Sequence, residues 1–337
     1  MIRGSAAALF FCFCLRIEAQ SPESQDSPTF SVAVNLVKVP ITVFDTRGES
    51  VQDLRREDFI LYEDQARQQI RSFGIDRQPI SIVLLLDNSA TVGKELSKMK
   101  ESAESFADAL SHDDRVAVIT FGDEVILQRD WTSDTHQVHK ALHKIKPSLR
   151  TALYDGMYSA AHEQLRDVEG RKAIILLTDC LNNQSTIGFE DAALSIIQSQ
   201  ATLYVVSKTV MVRQDALKQR RVVMLADIYK RLFGDDNYVE EFFQRREKEM
   251  IDLAEKTGGR CYFPTDYNQI RGVYEQVAKE LKNQHFLTYV SNQGKEPNSY
   301  HHISIEYLPP SGKLIYRRGY YYEPHPVHKR SMLRKAA

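Results

Sequence analysis

The sequence predicts an α/β fold: a doubly wound, Rossmann-like, mostly parallel sheet, with a smaller flanking antiparallel β unit built from the N- and C-terminal segments. Three observations carry this reading. Ile82 to Leu86 is an unbroken apolar run ending in Asp87, the pattern of a strand buried on both faces. From Ile80 to about Lys282, similar runs alternate with stretches whose apolar residues recur at helical spacing. On either side of this block, apolar residues alternate with period two between turn-forming residues.

Composition bounds the problem. A chain of 337 residues can bury a sizeable core and suggests more than one domain. With 42% hydrophobic and 26% charged residues it has globular rather than disordered composition. A formal net charge of -1 argues against a nucleic-acid partner, which calls for a basic excess. Residues 1–19 read as a signal peptide: Arg3, then the apolar stretch Ala6 to Leu15, then the small residue Ala19. Export to the cell envelope, periplasm or medium is therefore expected, with no membrane span in the mature chain. Removing this segment leaves Cys180 and Cys261, read as two unpaired buried thiols rather than a disulfide framework.

Residues 20–29 form a polar Ser/Pro/Gln linker. The N-terminal β segment spans 30–76. In it Val32 to Val43 alternate with one phase switch, and Phe59 to Tyr62 and Ile70 to Phe73 read as arms of a hairpin about Glu63-Asp64-Gln65. Residues 80–283 hold the α/β core. Its strands are Ile82 to Leu86, Arg115 to Phe121, Glu124 to Gln128, Lys172 to Leu177, Ala201 to Val206 and Gly259 to Phe263. Helical faces follow at Leu96 to Leu110, from Thr151 onward, at Phe189 to Ile197 and at Ile270 to Leu281. Residues 208–250 exceed what one crossover needs and read as a two-helix insertion, one face being Leu225 to Leu232. Strands return over 284–323, where they are expected to pair with 30–76, and 324–337 reads as a loose basic tail.

Three strand-end loops carry the candidate chemistry. Asp87, Ser89 and Thr91 lie in one, Thr151 opens a helix in another, and Asp179 ends the Leu176-Leu177-Thr178-Asp179 run. Open α/β sheets place ligand sites at the carboxyl ends of their strands. Hydroxyl and carboxylate oxygens are hard ligands suited to Mg²⁺ or Mn²⁺. No His or Cys cluster has zinc spacing.

The order of Asp87-x-Ser89-x-Thr91, Thr151-x-Leu153-Tyr154-Asp155 and Leu176-Leu177-Thr178-Asp179 resembles the von Willebrand factor A domain and its metal-ion-dependent adhesion site. The flanks, such as Val34 to Phe73 and Tyr316 to Tyr321, look like those of bacterial, often acidobacterial, exported proteins with a related domain. The resemblance implies that Ser89, Thr91 and Thr151 contact the metal, and that Asp87 and Asp179 act mainly through water. It also implies a protein ligand that offers an acidic residue to the metal. Two departures stand out: Arg150 where glycine usually precedes the threonine, and Cys180 where glycine usually follows the aspartate.

The expected function is an exported, non-enzymatic adhesion module acting through a divalent cation. A metal-independent scaffold binding through the insertion or the β flanks is the first alternative, and a metal-dependent hydrolase the second. Against the hydrolase, the chain lacks a phosphate loop, a nucleophile elbow and an HExxH motif.

Overall fold

The computed structural model describes residues 35–89, 94–218, 238–293, 296–323 and 331–336. The chain enters through β1 (Leu36–Phe44), whose Val37, Val39, Ile41 and Val43 all point to one buried side. The strands β2 (Phe59–Glu63) and β3 (Ala66–Gln68) form a hairpin closed by Asp64 and Gln65, at φ 47° and 70°. A two-residue turn with both residues left-handed matches the twist of the strands it joins. The second arm expected at Ile70 to Phe73 is therefore replaced by β3. The strand β4 (Ser72–Ile75) leaves for the other sheet.

The α/β core begins with β5 (Ile80–Asp87), buried at every position. It continues through α1 (Lys94–Asp108), β6 (Arg115–Phe121), β7 (Val125–Thr132) and α2 (Thr135–Lys144). Next come α3 (Leu153–Tyr158), a π-helical turn over Ser159–Gln164, β8 (Arg171–Thr178), α4 (Phe189–Ser199) and β9 (Thr202–Ser207). The helices α5 (Thr209–Lys218) and α6 (Tyr238–Lys256) occupy the long connection, before β10 (Cys261–Tyr262) and α7 (Tyr267–Asn283). The helical face expected at Leu225 to Leu232 lies outside the described residues, as do residues 1–34.

The strand order is β10-β9-β8-β5-β6-β7 followed by the edge strand β15 (Leu333–Lys335), parallel from β10 to β6. Alternation along β5 sorts the helices. Val83 and Leu85 pack with α3, α4 and α6 on one face, while Ile82, Leu84 and Leu86 pack with α1, α2 and α7 on the other. A strand flanked by helix layers on both sides has no polar face, which is why β5 reads as a continuous apolar run. The last strand, β15 (Leu333–Lys335), pairs parallel to β7 at the sheet edge. This overturns the loose tail expected there. Glu163 holds the backbone N–H groups of Met332 and Leu333 at 2.9 Å each, and so supplies an anchor with no local sequence signal.

After α7 come β11 (His285–Val290), β12 (Tyr300–Tyr307), β13 (Lys313–Tyr316) and β14 (Gly319–Tyr321). They join the first four strands in two antiparallel sheets, β13-β1-β11-β4 and β14-β12-β2-β3. Leu36 to Ile41 pair with Val290 to His285, and Phe59 to Glu63 with Tyr307 to Ile303. Val39, Ile41, Leu61, Leu287, Tyr289 and Ile303 fill the space between the sheets.

The sandwich buries an acidic side chain. The Glu63 side chain, 0% exposed, accepts hydrogen bonds from Tyr289 Oη at 2.9 Å, Tyr320 Oη at 2.8 Å and Ser291 Oγ at 2.7 Å. These three donors come from both sheets, so Glu63 ties them together. Removing this acceptor deprives three buried hydroxyls of the oxygen they donate to. Glu63→Ala is expected to destabilise the chain by about 3 kcal/mol or more, and Glu63→Gln by clearly less. Urea denaturation of the purified variants checks this, and equal losses for the two would contradict it.

Candidate functional site

The carboxyl ends of β5 and β8 lie side by side where the sheet changes direction, β6 leaving on one side and β8 and β9 on the other. Asp87 sits at this point, 0% exposed. Its Oδ1 accepts from the Ser89 N–H at 2.9 Å and from the Ser89 hydroxyl. Its Oδ2 faces the Asp179 N–H at 3.4 Å and the Lys208 ammonium at 3.5 Å. Asp179 Oδ1 in turn accepts from the Leu181 N–H at 3.0 Å. Two carboxylates thus share one buried end of the sheet. Burial first, and the neighbouring Asp87 charge second, push the Asp179 carboxyl up to about 6, against a smaller opposing pull from Lys208.

Thr151 is buried in the loop before α3, two residues ahead of the helix that was expected to start there. Its N–H donates to Asn183 Oδ1 at 2.9 Å, and its carbonyl accepts from the N–H groups of Asn183 and Gln184 at 3.1 Å each. These bonds hold its backbone out of the helix. The same segment caps α3: Asn182 Oδ1 takes the Leu153 N–H at 3.2 Å and Ser185 Oγ the Tyr154 N–H at 3.0 Å. Such bonds satisfy donors that a helix start leaves unpaired. Asp155 supports the loop, its carboxylate receiving the Thr186 N–H at 2.9 Å and the Ile187 N–H at 3.2 Å. The β8–α4 loop therefore ties the Thr151 loop to the strand that runs into Asp179.

The third side is knitted to β6. Ser148 donates its N–H to the Asn88 carbonyl at 2.9 Å, and its hydroxyl accepts from the Asp123 N–H at 2.7 Å. A Cβ on Gly122 would lie 2.4 Å from Ser148 Cβ, so only glycine lets the loops approach this closely. Asn88 Nδ2 donates to the Lys146 carbonyl at 2.7 Å, while its buried Oδ1 has no donor among the described residues. At the rim, Leu149 is 90% exposed, and the exposed Arg150 reaches Gln184 Oε1 at 2.9 Å. Cys180 adopts the left-handed backbone, φ 62°, that glycine would take without strain, a cost of roughly 1 kcal/mol. Its buried Sγ lies 3.6 Å from Ser207 Oγ, and burial pushes the thiol up to about 12.

Asp87, Ser89, Thr151 and Asp179 thus belong to loops at one end of the sheet, whereas Thr91 lies outside the described residues. Their donors are all hard oxygen, and two adjacent buried carboxylates are a charge arrangement that a divalent cation would relieve. Among the described residues no cluster of three His, Cys, Asp or Glu is present, so an ion here would also draw on hydroxyls and water. The residue that sequence reasoning missed is Lys208. Its signal was a lysine directly after the buried strand Thr202–Ser207, at the same sheet end as the two aspartates.

Residues 82–182, within the α/β core, match the family model of the von Willebrand factor type A domain. An uncharacterized protein of Synechocystis sp. is 30% identical over 107 residues, which are 31% of this chain and 26% of that protein. The chain thus spans about a quarter of the curated relative it matches. Among solved structures, the von Willebrand factor type A protein of Catenulispora acidiphila is 10% identical, with a TM-score of 0.47 over 86% of this chain and 74% of that one. The proximal thread matrix protein 1 of the mussel byssus, solved with a zinc-occupied MIDAS motif, is 17% identical, with a TM-score of 0.45 over 65% of this chain and 49% of that one.

The raised Asp179 pKa has a defined sign. Between about pH 4 and pH 6 the folded chain keeps a proton that the unfolded chain has lost, so this group lowers stability as pH rises through that window. Above pH 6 the loss is complete. Asp179→Asn removes it, and the metal-free variant is expected to exceed the parent in stability at pH 7 by on the order of 2 kcal/mol, converging with it below about pH 4. Denaturation in EDTA across pH 3.5 to 7.5 measures the difference.

Proposed function

We propose that this chain is an exported, non-enzymatic protein-binding module whose A domain engages an acidic group of a protein ligand through Mg²⁺ or Mn²⁺. The observation that carries the reading is the adjacency of Asp87 and Asp179 at the switch point of the sheet, with the Ser89 hydroxyl on the same loop as Asp87. Asp87, Ser89, Thr91, Thr151 and Asp179 would hold the ion, which supplies an electrophilic position for a carboxylate. Two carboxylates balance the charge of a dication and leave the partner's acid to be attracted by the open position. The exposed Leu149 and Arg150 beside the site offer an apolar and a cationic contact for such a ligand. Residues 1–19 would direct export, and 20–29 would tether the folded part.

A specific observation favours a second reading, in which the fold binds its partner without a metal. Lys208 already presents a positive charge to Asp87 Oδ2. The two readings part on a direct measurement. Calorimetric titration of the purified chain with MgCl₂ and MnCl₂ is expected to give one site, lost in Asp87→Ala and Asp179→Ala. Capture of proteins from the source envelope is expected to fail in EDTA. Capture that persists in EDTA and in both variants would instead support the metal-independent scaffold.

A further inference from the structure

We propose that Lys208 is the resident counter-cation of the Asp87–Asp179 pair, and that a divalent ion enters the site only by displacing its ammonium. The inference rests on the metal-binding reading above and adds what sets its affinity.

Asp87 uses its oxygens unequally. Oδ1 is engaged by the Ser89 N–H and hydroxyl, which leaves Oδ2 as the oxygen that faces the rest of the site. Lys208 Nζ stands 3.5 Å from that oxygen, with side chains 3% and 0% exposed. A buried ammonium is retained where an anion compensates it, and here the anion is one of the two carboxylates that a metal would need. The backbone of Lys208 cannot drift away. Its N–H donates to the Thr178 carbonyl at 2.7 Å, and its carbonyl accepts from the Val212 N–H at 3.0 Å. It is therefore fixed between the end of β9 and the first turn of α5, so any displacement of the ammonium has to come from the four-carbon side chain.

Charge decides the outcome. With Lys208 in place the two carboxylates and the ammonium carry a net negative charge of one; adding a dication without moving the ammonium puts two cations against the same buried oxygen. Their repulsion in a poorly screened site opposes binding strongly. An ion that does bind must swing the ammonium out, and the cost of that step is subtracted from its affinity.

The test compares the full chain with Lys208→Met, which keeps length but removes charge, and Lys208→Arg, which keeps charge. Mg²⁺ and Mn²⁺ binding is read by calorimetry and by the Mn²⁺ electron-spin resonance signal. Lys208→Met is expected to bind either ion at least about ten-fold more tightly than the parent, and Lys208→Arg to bind no better than the parent. Should the Met variant not fold, Lys208→Gln serves in its place. Equal or weaker binding by the neutral variant, with the parent binding well, overturns the displacement and leaves the metal site standing. Absence of binding in both overturns the displacement and the metal reading together.

Discussion

The loops at the carboxyl end of the central sheet are organised around one fully buried acidic side chain, that of Asp87. Burying an unpaired carboxylate costs several kcal/mol, so the surrounding atoms have to be arranged around it. The Ser89 and Asp179 N–H groups and the Lys208 ammonium fulfil that requirement. Each comes from the end of a different strand or from the loop that follows it. The consequence is a mutual dependence: β5, β8 and β9 must end at the same height for one charge to be tolerated. Their parallel pairing, Leu86 with Leu177 and Leu177 with Val206, ensures that they do.

Around this point the loops are held by side chains rather than by regular structure. Asn182, Asn183 and Ser185 replace the backbone bonds that the start of α3 would otherwise lack, and Asp155 returns the favour by fixing Thr186. Cys180 is part of the same economy. Its left-handed backbone is strained, but its thiol fills space beside Ser207, whose hydroxyl meets Thr209 Oγ1 at 2.9 Å and through it Glu247 on α6. A chain of polar contacts thus runs from the site into the helix of the long connection.

Much of this was legible in the sequence because it obeys simple periodicities. The doubly wound core followed from apolar runs such as Ile82 to Leu86, and the placement of Asp87, Ser89, Thr151 and Asp179 at one end of the sheet from their positions after those runs. What escaped is what depends on distant pairing. The hairpin at Asp64-Gln65 closed on Ala66 to Gln68 because local turn geometry outweighed the apolar signal at Ile70 to Phe73. Leu333 to Lys335 became a strand because Glu163 and the open edge of β7 receive it, and nothing near those residues announces either. Lys208 was passed over because an isolated lysine reads as solvent-facing until the fold closes over it.

The sandwich and the α/β core are also related by how the chain threads them. Ile75 on the way into the core lies opposite His285 on the way out, the Asp76 N–H donating to the Gln284 carbonyl at 2.9 Å, and β1 pairs with β11 over Leu36 to Ile41. The core is thus inserted between two strands already clasped to one another. Asn35 and Ser291 stand at the same end of the antiparallel β1–β11 pair, so a pulling force applied at residue 35 would peel β1 from β11 one hydrogen bond at a time rather than load the pair in shear. Tension entering there would open this clasp before it passed along the chain to β5 and the loops around Asp87.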